Sequence, residues 1–315
     1  MVGVTISGML KPRLLLITMF QSPAAGALGE LALFIEAWEL LPASQLSAQP
    51  LPSDLYANSS GDTLAIVAGV GTANTAVSLT ALGLHPNIDL TDAFILICGI
   101  AGGNPNYTVL GDCVWADWCI DGDLAFEFDA REIPTTWPTG IVPLGAKEPY
   151  GPASDPEGLF GRPYQVYALN GPLLEKALVA TSGRALKGIS GAPAAGVKTG
   201  ATLAAARFWH GQLMNVWAER WVQYWTKGCG HFHTSGMEDS GSLHALHYLS
   251  DIGKLKFERV AILRSVSNYS APVDDRTAIE NLFSDAHEVD YPGMRIALEN
   301  AFSVADAFRT GVVFA

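Results

Sequence analysis

The chain has 315 residues, 49% of them hydrophobic and 16% charged, with 31 Asp and Glu against 19 Lys and Arg, a formal charge of −12. Such a length supports a full core, and the apolar richness excludes a disordered or low-complexity chain. The acidity, with no Lys/Arg cluster, argues against nucleic acid or an anionic membrane as partner and leaves small ligands.

Residues 13–20, "RLLLITMF", read as a first buried strand, followed by a Pro/Ala/Gly-rich loop, "QSPAAGALGE", and a helix through "LALFIEAWELL". "DTLAIVAGVG" predicts a second strand ending at Gly69 and Gly71, and "TANTAVSLTALGL" a helix with small and apolar residues at helical spacing. "AFILICGIAGG" predicts a third strand; it lacks alternation, so both its faces should be covered. "GDCVWADWCID" alternates in part and predicts a fourth. Residues 131–200 are rich in Pro and Gly and read as a surface excursion with a short helix near "GPLLEKALVATS". In "FWHGQLMNVWAERWVQYWT", Trp217, Trp221 and Trp225 fall at i, i+4 and i+8, a helix face expected to pack on the core or on a partner subunit. "GSLHALHYLSDIG" predicts a helix, "VAILRSVSN" a strand and "GMRIALENAFSVADAFRTG" a C-terminal helix.

Apolar strands separated by helices predict an α/β fold: one domain over 1–315, three-layered α/β/α, with a central mixed, mostly parallel sheet. Ligands of such sheets bind beyond the carboxyl ends of the strands. There "VAILRSVSNYS" turns from apolar to polar without a turn signal, at Arg264, Ser267 and Asn268. No window approaches the about 20 apolar residues of a transmembrane helix. The chain is therefore expected to be water-soluble, cytoplasmic or, with a leader removed, periplasmic or secreted.

"GVGTAN" follows a strand and opens a helix, a context in which backbone N–H groups hold an anion or a sugar hydroxyl, or simply form a tight turn. It is neither a dinucleotide fingerprint nor a phosphate loop, lacking the third glycine and any Gly-Lys-Ser/Thr. Gly99, Gly102 and Gly103 at the third strand's end allow close approach of a ligand or close packing of a helix. In "HTSGMEDSG", Glu238 and Asp239 fall near the first turn of a helix, where acids suit the dipole; Glu238 can alternatively accept two hydrogen bonds from a vicinal diol. Cys229, His231 and His233 fit no familiar metal site, and no metal is expected. Cys98 reads as a core residue, and Cys113 with Cys119 is the one local disulfide candidate. No GxSxG elbow supports a Ser-His-Asp triad.

Together "LLITMF", "GVGTANTAVSLTALGL", "DLTDAFILICGIAGGNPNYTVLGD", "FWHGQLMNVWAERWVQYWTKG", "GMEDSGSLHAL" and "RVAILRSVSNYS" resemble the purine nucleoside permease family, which looks related to nucleoside phosphorylases and nucleosidases. The resemblance implies a purine nucleoside as ligand and cleavage of its N-glycosidic bond. It implies that Met237 packs on the ribose, that Glu238 binds the ribose hydroxyls, and that Arg264, Ser267 and Asn268 end a strand near purine N7. Gly71, Thr72, Gly99 and Ile100 would line the sugar and nucleophile region, and an aromatic among Phe208, Trp209 and His210 would stack on the base. Many superfamily members have Asp where Asn268 stands. Asn donates a hydrogen bond to N7 but delivers no proton, and it accompanies 6-oxopurines. The first loop lacks the cations of a phosphorylase, so hydrolysis is preferred to phosphorolysis; phosphate is a co-substrate only in the second case, and no other cofactor is implied. Glu30, or else Glu36, would stand in for the early Glu that positions water in nucleosidases, with "QSPAAGAL" read as an insertion. A non-catalytic binder that hands nucleosides to a membrane transporter is a reading from a different class. The habit of the superfamily implies a homo-oligomer.

Overall fold

The strand expected at 13–20 forms as β1 (Leu14–Thr18), and all five residues are buried. Successive side chains of a strand point to opposite faces, and here both faces are apolar. Leu15 and Ile17 enter one core with Ile95, Ile97, Leu79, Leu243 and Leu246. Leu14 and Leu16 enter a second with Phe34, Leu96, Ala301, Val304 and Phe308. The structure is a computed structural model and describes residues 8–21, 29–43, 51–151, 165–285 and 292–315.

After β1 come α1 (Ala32–Ala37), the short strands β2 (Leu41–Pro42) and β3 (Leu55–Ala57), then β4 (Thr63–Val67), α2 (Thr72–Gly83), β5 (Phe94–Gly103) and β6 (Cys113–Asp121). A small hairpin, β7 (Ala125–Glu127) and β8 (Ile141–Pro143), precedes β9 (Val166–Ala168), α3 (Gly171–Thr181) and β10 (Val197–Ala204). The chain ends through α4 (Gln212–Trp225), β11 (Phe232–Gly236), α5 (Asp239–Asp251), β12 (Val260–Tyr269), α6 (Ala278–Asp285) and α7 (Pro292–Phe308). The sheet order is β11-β10-β6-β12-β5-β1-β4-β3-β2, with β9 on β6. The neighbours of β1, the β5–β12 pair, and both partners of β10 run parallel; β6 runs antiparallel to β12. Buried strands with helices on both faces give the expected mixed α/β architecture.

One connection was not legible in the sequence. β11 also pairs antiparallel with β5, Thr234 opposite Gly103 and Ser235 opposite Gly102. The strands β5, β12, β6, β10 and β11 therefore close into a ring. Glycine makes this possible: a Cβ on Gly102 would stand 2.7 Å from Ser235 Oγ. Strands β10 and β11 lie where the sequence reads as loop end and helix start, because "VKTGATLA" and "FHTSG" are short on large apolar residues. The excursion expected over 131–200 carries β8, β9, α3 and the start of β10. Its residues 152–164, and residues 22–28 of the loop read as an insertion, lie outside the described residues.

The Trp face of α4 turns inward. Trp217 and Trp221 are fully buried with Trp209, Leu203 and Phe232, and Trp225 packs on them partly exposed. All four cysteines are free thiols. Cys113 and Cys119 share strand β6, and six residues of extended chain separate them by about 20 Å, too far to bridge. Among the described residues no helix is long and apolar enough to cross a membrane.

Candidate functional site

The polar end of β12 is shaped by a bulge. Val266 sits opposite Ala101 of β5 and Asn268 opposite Gly102, so Ser267 is an extra residue in the pairing. A regular strand would send Ser267 and Asn268 to opposite faces; a bulge re-aims side chains. Here both, together with Ser270, line one cleft of about 300 Å³. The same cleft is walled by Met19, Phe20, Glu30 and Ile100, by Ser235, Met237 and Glu238, and by Arg207, Phe208 and Trp209. Ser267 Oγ donates to Asn268 Oδ1 at 2.9 Å, and Asn268 Nδ2 donates to Tyr269 O at 3.1 Å. The amide is thereby oriented with one N–H spent on the backbone and a second left for a ligand.

Beneath the cleft lies Arg264, 1% exposed. Its Nε reaches both Asp239 oxygens at 3.2 and 3.1 Å, its Nη2 donates to Asp239 Oδ1 at 2.6 Å and to Glu238 Oε2 at 3.1 Å, and its Nη1 to Ile100 O at 3.3 Å. A buried charge survives only when paired and hydrogen-bonded, and Asp239, itself fully buried, supplies the bidentate partner. Burial pulls the guanidinium pKa down, but Asp239, Glu238 and Glu30 outweigh it and hold the charge firmly on.

Glu30 stands at the junction of the first loop and α1. Its Oε2 accepts from the Met19 amide at 2.7 Å and its Oε1 from the Ile100 amide at 2.8 Å. Burial pushes its carboxyl up to about 7, against the pull of Arg264 and with the help of Glu238. Burial likewise raises Glu238, whose carboxylate takes hydrogen bonds from the backbone of Met237 and Gly71. The arrangement holds two carboxyl groups near one fixed cation, one of them balanced between its protonated and ionised forms at neutral pH. Such a pair can accept hydroxyl hydrogen bonds and move a proton.

A model of the purine nucleoside permease family matches residues 11–314. The chain belongs to the purine nucleoside permease family. It is 30% identical over 297 residues to a probable purine nucleoside permease of Schizosaccharomyces pombe, covering 89% of this chain and 84% of that protein. It is 26% identical over 270 residues to a purine nucleoside permease of Candida albicans, covering 80% of this chain and 64% of that protein's length. Among solved structures, it resembles the 5′-methylthioadenosine/S-adenosylhomocysteine nucleosidase of Neisseria meningitidis, with a TM-score of 0.56, 17% identity, and 95% and 98% of the two chains covered. The S-adenosylhomocysteine nucleosidase of Streptococcus pyogenes gives a TM-score of 0.58 at 15% identity, covering 98% and 99%. At these identities the likeness is one of fold.

In this purine nucleoside permease family member, nine of the residues singled out from sequence share the cleft wall: Glu30, Ile100, Gly102, Phe208, Trp209, Met237, Glu238, Ser267 and Asn268. Four others stand behind it. Arg264 is the buried hub; Gly71 gives its amide to Glu238. Thr72 contributes backbone against which Gly241 packs, and a Cβ on Gly99 would collide with Glu30 and stand 2.6 Å from Arg264 Nη1. Gly99 thus makes room for side chains rather than for a ligand. Glu36 is exposed on α1, away from this network. Phe208 is 55% exposed at the cleft, whereas His210 is not among its walls. Sequence reasoning missed Asp239, read as a dipole partner although it adjoins Glu238, and it missed Arg207, whose signal was its place beside the Phe208–Trp209 pair.

Proposed function

We propose that the cleft binds a purine nucleoside and cleaves its N-glycosidic bond by hydrolysis. The observation that carries this reading is the convergence of Glu30, Glu238 and Asn268, from three distant segments, on one cleft over the Arg264 hub. Glu238 accepts hydrogen bonds from the ribose 2′- and 3′-hydroxyls while Met237 packs on the sugar. Glu30, balanced near pH 7, orients a water and takes its proton as oxygen bonds to C1′. The C1′–N9 bond breaks with its electron pair going to the purine, which Asn268 receives through an N–H at N7; the base then takes its proton from solvent. The sugar develops cationic character beside the two carboxylates, which favours the transition state over the ground state. Phosphorolysis is less well supported. Arg264 directs its donors to Asp239, Glu238 and Ile100, and an incoming phosphate would meet the Glu30 carboxylate.

The names of the curated relatives favour a second reading, in which the same cleft holds a nucleoside without cleaving it and serves transport. Chromatography of inosine, guanosine and adenosine incubated with the purified protein, with and without phosphate, separates the readings. Free base in both conditions is the expected result. Base formed only with phosphate would establish phosphorolysis, and intact nucleoside with measurable binding would establish the binder.

A further inference from the structure

Arg207 is the one Lys or Arg among the described walls of the cleft, where the other charged side chains are the carboxylates of Glu30 and Glu238. Its segment is tied across the mouth. Ala205 N donates to Gly236 O at 3.1 Å, beside Met237 and Glu238, and Gly211 N donates to Ser270 O at 3.0 Å, beside Asn268. Ala206 N donates to Asp123 Oδ2 at 2.6 Å, fixing the turn that presents Arg207. The guanidinium gives Nη1 to Glu127 Oε2 at 2.9 Å and lies 5.8 Å from the Trp217 ring, while its Nε is buried with no hydrogen-bond partner. With Nε enclosed by protein and Nη1 on Glu127, Nη2 has no acceptor among the described residues and is the donor left for a ligand in the cleft. Glu30 and Glu238 are engaged with Arg264 and backbone amides, so they do not supply its acceptor.

We propose that Arg207 reads the purine base, donating to the O6 carbonyl of a 6-oxopurine and thereby setting a preference for inosine- and guanosine-like over adenosine-like nucleosides. The inference rests on the reading of the cleft as a nucleoside site. A 6-oxopurine carries an acceptor at position 6 beside the N7 acceptor, so Arg207 and Asn268 together present donors to one edge of the base. Adenine carries an amine there, so donor would face donor. Sites built to hydrogen-bond a group discriminate strongly against an analogue that lacks it. As the base leaves, negative charge spreads onto O6, so the same cation also favours departure. Trp217 and Glu127 hold the guanidinium plane in place, a constraint that the flexible point charge of a lysine would not reproduce.

The test is calorimetric binding of the free bases hypoxanthine and adenine to the wild type, Arg207→Met and Arg207→Lys, with circular dichroism to verify folding, alongside cleavage of inosine and adenosine. The wild type should bind hypoxanthine more tightly by about 10- to 100-fold, the range of one charge-assisted hydrogen bond. Arg207→Met should erase most of that ratio and Arg207→Lys should keep part of it. An unaltered ratio in both Arg207 variants, or equal binding by the wild type, overturns the proposal even where nucleosides are cleaved. A ratio that collapses in Arg207→Met while no variant cleaves any nucleoside upholds base reading and removes hydrolysis. Loss of affinity for inosine 5′-monophosphate without loss for hypoxanthine would assign the cation to a phosphate and overturn it too.

Discussion

In the proposed reaction Glu30 concentrates the chemistry of the site in one carboxyl group. Its ordinary value of 4.5 rises to about 7 because burial penalises the ionised form more than Arg264 rewards it. The sign for stability follows. Below pH 4.5 the folded and unfolded chains both carry the proton; as pH rises the unfolded chain releases it first, so stability falls until the folded group ionises near 7. Glu30→Gln cannot titrate. Urea unfolding across pH 4 to 9 should show the variant gaining on the wild type by on the order of 3 kcal/mol between those limits. The same substitution should depress kcat/KM and flatten its rise through neutral pH, since the proposed hydrolysis needs the ionised form. Asp239→Ala belongs to the same network but acts on structure: it strands the Arg264 charge, and urea unfolding should show a loss of about 3–5 kcal/mol. Asn268→Ala should fold as the wild type and slow turnover roughly 10²-fold, the scale of one lost transition-state donor. Asn268 was readable from sequence as a polar residue at the end of an apolar strand, and Glu238 as an acid near the first turn of a helix. Asp239 was not, because its neighbour already explained the acids at a helix start, and only the buried Arg264 reveals the need for a second carboxylate.

At the scale of elements, two close approaches set where these side chains stand. Helices α2 and α5 touch at both ends through glycine: a Cβ on Gly241 would run into the Thr72 backbone, and one on Gly83 into Leu249. The first contact brings the start of α5, with Glu238 and Asp239, up to the Gly71 turn that bonds Glu238. Alanine is the better helix former by about 1 kcal/mol, yet Gly241→Ala should lower the melting temperature, since backbone cannot yield as a side chain does. It should also weaken nucleoside binding, measured by calorimetry, by shifting Glu238. The helices were legible in the sequence as runs of good helix formers, but which glycine serves a contact depends on what faces it. The bulge at Ser267 is of the same kind. Residues 260–268 read as a strand, whereas the one-residue slip that turns Ser267 and Asn268 into the same cleft arises from pairing with the Gly102 end of β5.

At the scale of the molecule, apolar strands between helices predicted the layered sheet, and the long uniform runs of β1 and β5 made that inference firm. The ring closure through β5 and β11 escaped because its strands are short, polar and glycine-rich, so periodicity carried no signal. That closure matters for function. It brings Ser235 to Glu238 beside the ends of β5 and β12, and with the segment after β10 it encloses the cleft. The chain belongs to the purine nucleoside permease family and shares its fold with the nucleosidases; to these the cleft adds a buried carboxyl group, Glu30, raised to about 7, which the proposed hydrolysis uses as its base. Turnover of inosine in ¹⁸O-enriched water, followed by mass spectrometry of the sugar product, addresses that claim most directly. The account predicts free ribose carrying one ¹⁸O at C1, formed at the same rate with or without phosphate and lost in Glu30→Gln. Ribose 1-phosphate, unlabelled sugar, or inosine recovered intact would contradict it.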